Sequence, residues 1–126
     1  MENQSRPIPI YTSSGEVGAL LIYPWLYSRH GEWIGWVTND RKVYSVLGIF
    51  VGELSNDQRI LRKRSQEYSM TRRPPPSTPP RQITVPASFP LAPLMAELSY
   101  DTIDVLQDEP EQLHTTDTGE LKPDLD

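Results

Sequence analysis

Tyr11-Thr-Ser-Ser-Gly15-Glu-Val-Gly18, Tyr27-Ser-Arg-His-Gly31-Glu-Trp-Ile-Gly35 and Tyr44-Ser-Val-Leu-Gly48-Ile-Phe-Val-Gly52 are three versions of one phrase. In each, the first glycine follows its tyrosine by four, and the second glycine recurs every 17 residues. A short fixed period marks one supersecondary unit copied in tandem. An apolar residue and an aromatic open each copy: Ile10-Tyr11, Leu26-Tyr27, Val43-Tyr44. Polar residues and a glycine follow, the chemistry of a tight turn, with glycine supplying positive φ at no steric cost. A short run then closes the copy: 16–21, 32–37 and 49–54. These runs are too short for helices and rich in β-branched and aromatic residues, so they read as strands.

Tight links join the copies: Thr38-Asn39-Asp40, Ser55-Asn56-Asp57 and the neighbourhood of Pro24. Pro9 restricts the first strand to an edge or a strand start. Extending the period past Gly52 reaches Ile60-Leu61, then Ser65 and Ser69 where glycines would stand, with Tyr68 below Val51. A fourth, degenerate copy at Arg59–Thr71 follows, which makes eight strands in an all-β antiparallel meander. Glycine inside a strand marks a bulge or a close backbone approach. One such glycine per copy implies that the copies crowd one another at a central axis. Val17, Ile34, Val51 and Tyr68 are then expected to face the core. Leu20, Trp33, Val37, Phe50 and Leu54 lie on the other face, which must also be partly covered.

Copies of the form Tyr-x-x-x-Gly-x-x-(Val/Ile)-Gly followed by a proline-rich tail resemble the four-fold beta flower family. The resemblance covers Ile8–Thr71 and departs from the pattern in the fourth copy, where serines replace both glycines. It implies four tandem two-stranded repeats of about 17 residues as petals around a pseudo-four-fold axis. It brings no established activity, catalytic residue or cofactor. A PRC-type barrel is a rival with short strands and glycine turns, but it does not require a fourth 17-residue register.

The expected organisation is a repeat domain over 8–71, an extended proline-rich arm over 72–107 and an acidic, disordered tail over 108–126. The run 72–81 has polyproline II composition. Arg73, Pro76 and Pro79 fit a proline-groove ligand, although a stiff spacer explains the same run. Leu91, Leu94, Met95 and Leu98 have helix-like spacing, confined by Pro86, Pro90 and Pro93 to the segment after them. The arm is thus expected to fold over the domain or to dock on a partner through Leu94, Met95 and Leu98. Removing residues 109–126 is expected to leave stability unchanged.

The composition narrows the chemistry. The 126 residues carry a net charge of −5, no cysteine and 13 prolines. Residues 1–66 hold eight Lys/Arg against six Asp/Glu, and the remainder four against eleven. An acidic second half argues against nucleic acid, because phosphate contacts need a positive face. The first residues lack the basic start and apolar core of a secretory signal, and no apolar run approaches a span of roughly 20 residues. A cytoplasmic location without membrane contact is expected.

No phosphate loop, paired-histidine motif or nucleophile elbow occurs. Asp101, Asp104, Asp108 and Glu109 read as a solvated charge run, so no metal or cofactor is expected. Arg59, Arg62, Lys63 and Arg64 form a basic patch suited to an acidic partner, the chain's own acidic half being nearest. The aromatic concentration at Trp25, Tyr27, Trp33, Trp36 and Tyr44 is divided between core and interface, since Trp and Tyr are enriched in binding hot spots. The functional expectation is a non-enzymatic protein-interaction or self-assembly module, a homo-oligomer or a binder of another protein. The alternative is a small-ligand domain with an aromatic groove between repeats.

Overall fold

Among the described residues, eight short strands, each hydrogen-bonded to its neighbours in the chain, form one antiparallel meander that curls on itself. They are β1 Ile8–Tyr11, β2 Val17–Ile22, β3 Trp25–Ser28, β4 Trp33–Val37, β5 Lys42–Ser45, β6 Phe50–Leu54, β7 Ile60–Lys63 and β8 Thr102–Asp104. One helical turn, α1 (Val105–Asp108), and a 3-10 turn (Pro110–Gln112) follow. The computed structural model describes residues 6–65, 73–75 and 83–115.

Five loops of this meander are one structure. In each of 12–16, 28–32, 38–42, 45–49 and 55–59, a Ser or Thr opens the loop. Its backbone N–H donates to the carbonyl four residues on, and its carbonyl accepts from the N–H three residues on. Its hydroxyl also accepts from backbone N–H groups inside the loop, as Ser28 does from His30 (3.1 Å) and Ser45 from Leu47 (3.2 Å). The fourth residue is always left-handed: Gly15, Gly31, Arg41, Gly48, Gln58. Such a turn matches the twist of short antiparallel strands. At the two inner links the position is not glycine because the side chain has a task. Arg41 donates to the carbonyls of Leu54 (2.9 Å) and Ser55 (2.8 Å), and Gln58 to that of Pro9 (2.6 Å).

The first link differs. It is a two-residue turn, Tyr23-Pro24 with a cis peptide bond, between Ile22 and Trp25. It is one residue shorter than the others, and the 17-residue glycine spacing therefore conceals a shift. The pairings Tyr11↔Val17, Tyr27↔Trp33 and Tyr44↔Phe50 are equivalent, as are Ile10↔Ala19, Leu26↔Gly35 and Val43↔Gly52. Between the two pairings one residue is extra on the second strand: Gly18, Ile34 or Val51. Gly18 thus sits at a bulge, and Ala19 is the true counterpart of Gly35 and Gly52. Val17, expected in the core beside Ile34 and Val51, instead joins Trp33 on the opposite face.

The close approach expected of the strand glycines holds at Gly35 and Gly52. A Cβ on Gly35 would lie 2.3 Å from the Tyr44 carbonyl oxygen, and one on Gly52 2.8 Å from that of Leu61. Each glycine lets its petal meet the backbone of the next. One face of the sheet buries Ile10, Leu26, Ile34, Val43, Val51 and Ile60. The other buries Leu20, Trp25, Tyr27, Trp36, Tyr44 and Phe50.

The fourth petal is completed from far along the chain. β7 pairs with β8, Leu61↔Asp104 and Lys63↔Thr102, so the place beside β7 that the fourth copy at Arg59–Thr71 was expected to fill is taken by a segment from the expected extended arm over 72–107. Tyr68 and its neighbours lie outside the described residues. Ile103, Val105 and Leu113 fill the core where the degenerate copy has no glycine-framed strand to offer. The start of the acidic tail is accordingly ordered: Leu113 packs against Gly35, and Glu109 pairs with Arg62 at 2.9 Å. Residues 116–126 lie outside the described residues. Deleting 109–126 is now expected to lower stability by about 2–5 kcal/mol, the cost of emptying one leucine site.

Candidate interaction surface

The aromatic face is laid out by the tyrosine-to-strand pairings and then sealed by the chain itself. Trp36 stacks on Tyr44 (4.6 Å, 14°), while Trp25 meets Trp33 edge-on at 6.2 Å and Tyr44 meets Phe50 at 6.0 Å. Ile83, Val85 and Phe89 of the arm pack against this cluster. Arg73 donates from its backbone to the Gly48 carbonyl (2.9 Å), and Ile83 does the same at Gly31 (3.0 Å). No side chain fits at either glycine, since a Cβ would come within 2.2 Å of the Arg73 carbonyl oxygen and 2.5 Å of that of Ile83. Arg73 also lies over the Tyr44 ring at 5.2 Å and donates to its hydroxyl (3.1 Å). Further on, Tyr11 donates to the Pro90 carbonyl at 2.7 Å. The arm therefore passes petals three, two and one in reverse order before β8 completes the fourth.

The structure thus buries Trp25, Tyr27, Trp36 and Tyr44 and half-buries Trp33. The Tyr27 hydroxyl and Trp36 Nε1 are buried with no hydrogen-bond partner among the described residues. Burial pushes the Tyr27 phenol pKa up, so it stays neutral in this environment. A cleft of about 310 Å³ remains beside Tyr23, Pro24, Trp36, Arg73 and Pro74.

A second network ties the last petal to the first. The backbone N–H of Tyr11 donates to the Gln58 carbonyl at 2.7 Å. Ser13 donates to Asp104 Oδ2 from both its backbone (2.7 Å) and its hydroxyl (2.6 Å). Arg59, buried, donates to Ser13 Oγ (2.8 Å), the Ala96 carbonyl (2.8 Å) and both oxygens of Asp57. Asp104 also caps α1 by accepting from Gln107 N–H at 3.2 Å. Two sequence expectations change here. Asp104 is a buried clasp rather than part of a solvated charge run, and Arg59 is internal rather than one of a surface basic patch. Arg64 is likewise engaged, donating to the Tyr100 carbonyl at 2.5 Å and lying 4.6 Å over its ring.

Hydrogen bonds from Arg59 hold the Asp57 carboxyl down to about 2, against a desolvation that raises it. A depressed carboxylate pKa contributes stability that is complete above the unfolded value and lost as pH falls through the folded one. A melt series should therefore show loss between about pH 4 and pH 2. That component should be absent in Asp57→Asn; an identical acid profile in the variant would contradict the assignment.

Past the seam the arm turns an apolar side outward. Leu91 is 94% and Leu94 98% exposed, whereas Met95 and Leu98 are half-buried. Arg73 is exposed; Pro76 and Pro79 lie outside the described residues. Pro86, Phe89, Ala92, Met95 and Leu98 are half-buried, and every residue between them is exposed. The structure therefore separates the leucines that sequence spacing grouped on one helical face. Pro90, Leu91 and Pro93 belong to the exposed side as well. Their signal is Pro90-Leu-Ala-Pro-Leu94, a spacing of three rather than 3.6.

No helix is long and apolar enough to cross a membrane, and no group of three or more His, Asp or Glu side chains placed to hold a metal occurs, both among the described residues. Comparison with curated proteins and with solved structures gives no match. A family model described as 4-fold beta flower protein matches residues 8–103, from the first strand into β8. The match spans most of the chain and takes in the long arm between β7 and β8, so the chain belongs to the 4-fold beta flower family.

Proposed function

We propose that this chain is a non-enzymatic protein-interaction module that presents the outer side of its arm on the β-flower platform. One observation carries the reading. Leu91 and Leu94 are almost wholly solvent-exposed on a backbone held in place by Tyr11 and Arg59. Ordered, exposed leucines in neighbouring positions mark a contact surface more than a solvated one does. The rival small-ligand reading keeps two clefts at the edges of the aromatic face, one of about 310 Å³ beside Tyr23 and Trp36 and one of about 580 Å³ beside Val17, Val85 and Phe89, because the arm occupies the face itself.

The test uses the full chain with a photo-crosslinking residue at Ser88, read in cell extract, with light scattering of the purified protein for self-association. The expected result is a discrete adduct or a concentration-dependent dimer, reduced about tenfold in Leu91→Ser/Leu94→Ser, a loss of about 1.4 kcal/mol. A monomer that forms no adduct, or adducts indifferent to the double substitution, would overturn the reading.

A further inference from the structure

Over residues 86–98 the half-buried positions recur every third residue. A strand repeats every two and an α-helix every 3.6. A 3-10 helix also has three residues per turn, but it is built on i→i+3 backbone bonds. Residues 84–98 make no backbone–backbone hydrogen bond with any described residue. Three residues per turn without internal bonds is polyproline II, and Pro86, Pro90 and Pro93 set its φ. The segment is fastened from one side only. Tyr11 holds the Pro90 carbonyl, Arg59 holds that of Ala96, and Asp57 Oδ2 accepts from the Ala96 N–H at 3.3 Å.

We propose that Pro90–Leu94 is a preformed polyproline II ligand that docks into an aromatic-lined, basic-rimmed groove on a different protein. The inference rests on the interaction reading above and names its partner. Two outward columns run along the helix: Ser88, Leu91, Leu94 and Glu97, and beside it Ala87, Pro90, Pro93 and Ala96. Leu91 and Leu94 stand about 9 Å apart. That alternation of proline rings and apolar side chains on a three-fold ridge is what aromatic grooves receive. Because the ridge is ordered in the free protein, its ordering entropy is not charged to binding.

Charge selects among such grooves. Glu97 continues the leucine column and is exposed, and no Lys or Arg occurs between Ile83 and Leu113; the cations nearby lie off the column, Arg29 beside Phe89, Lys63 facing Asp101 and Arg64 over Tyr100. A partner rim that is acidic is therefore repelled, and one that is basic is matched. A second copy of this chain is the poorer receptor, because its own arm covers most of its aromatic face and leaves the cleft of about 310 Å³ beside Tyr23, Trp36 and Arg73; docking there would show as a concentration-dependent dimer and would overturn the assignment to a different protein.

The experiment is an amide-shift titration of the labelled full chain with isolated WW domains, one set with a basic groove rim and one with an acidic rim. The basic set is expected to move the amides of 88–97, with affinity falling about tenfold in Leu91→Ala/Leu94→Ala. Both leucines are exposed, so the variant keeps its fold, which the unchanged remainder of the spectrum verifies. Absence of shifts with either set, shifts confined to the acidic set, or shifts untouched by the double substitution would overturn the proposal. If the Ser88 adduct survives in that event, the interaction reading stands and only the ligand class falls.

Discussion

Gly35→Val is expected to abolish cooperative folding or to lower the melting temperature by about 15 °C or more, from a loss of over 3 kcal/mol. A Cβ there would lie 2.3 Å from the Tyr44 carbonyl oxygen and 3.3 Å from Leu113 Cδ2. The first obstacle is backbone, in a strand itself paired to β6, so relief requires parting β4 from β5. Overpacking a well-filled site typically costs about 1–3 kcal/mol, and more when backbone must move. Gly18→Ala is the control. Its Cβ meets the side chains of Leu106 and Thr12 at 3.1 and 3.2 Å, which can turn aside. A thermal melt in which Gly35→Val matches Gly18→Ala would show that the petals do not meet at this glycine.

Asp104→Ala is the second large effect, expected at about 3 kcal/mol. One carboxylate accepts the Ser13 backbone and hydroxyl and caps α1. Hydrogen bonds to a charged group contribute about 1.5–3 kcal/mol, and an N-cap about 1. The loss should concentrate at the seam, so hydrogen exchange at Ser13 and Ser14 should accelerate more than at Trp36. Asp104→Asn retains the cap and a hydrogen-bond acceptor, and should recover about half the loss. Equal destabilisation by Ala and Asn, with uniform exchange, would mean that the carboxylate is not a clasp between the first and last petals.

The first three petals were legible because their information is local. Tyrosine, turn glycine and strand recur at short spacing, and each copy pairs within itself. The glycine period misplaced Gly18 and with it Val17, because a two-residue Tyr23-Pro24 link hides inside an unbroken spacing of 17. The bulges at Ile34 and Val51 likewise put Val37 and Leu54, expected on the opposite face, in the same core as those two residues. The tyrosines, spaced 16 and then 17, keep the true register. The fourth petal could not be read the same way. Its second strand is only three residues long, lies about forty residues downstream, and has no repeat signature in Thr102-Ile-Asp104. The aromatic face was read as half interface because nothing local at Arg73 or in 83–89 announces that these residues pack there. Its docking points are the Gly31 and Gly48 turns, whose glycines also have an ordinary reason to exist. Burial by a distant segment is a tertiary fact with no periodic trace.

The arm is part of the fold: it covers the aromatic face, and β8 at its end closes the flower. The most direct test is thermal unfolding of a chain ending at residue 71, compared with the full chain. Without β8, Ile103, Val105 and Leu113 the open β7 edge and an emptied core should leave no cooperative transition. A cooperative melt of the short chain within a few degrees of the full one would contradict the claim and restore a self-sufficient four-petal domain with a dispensable arm.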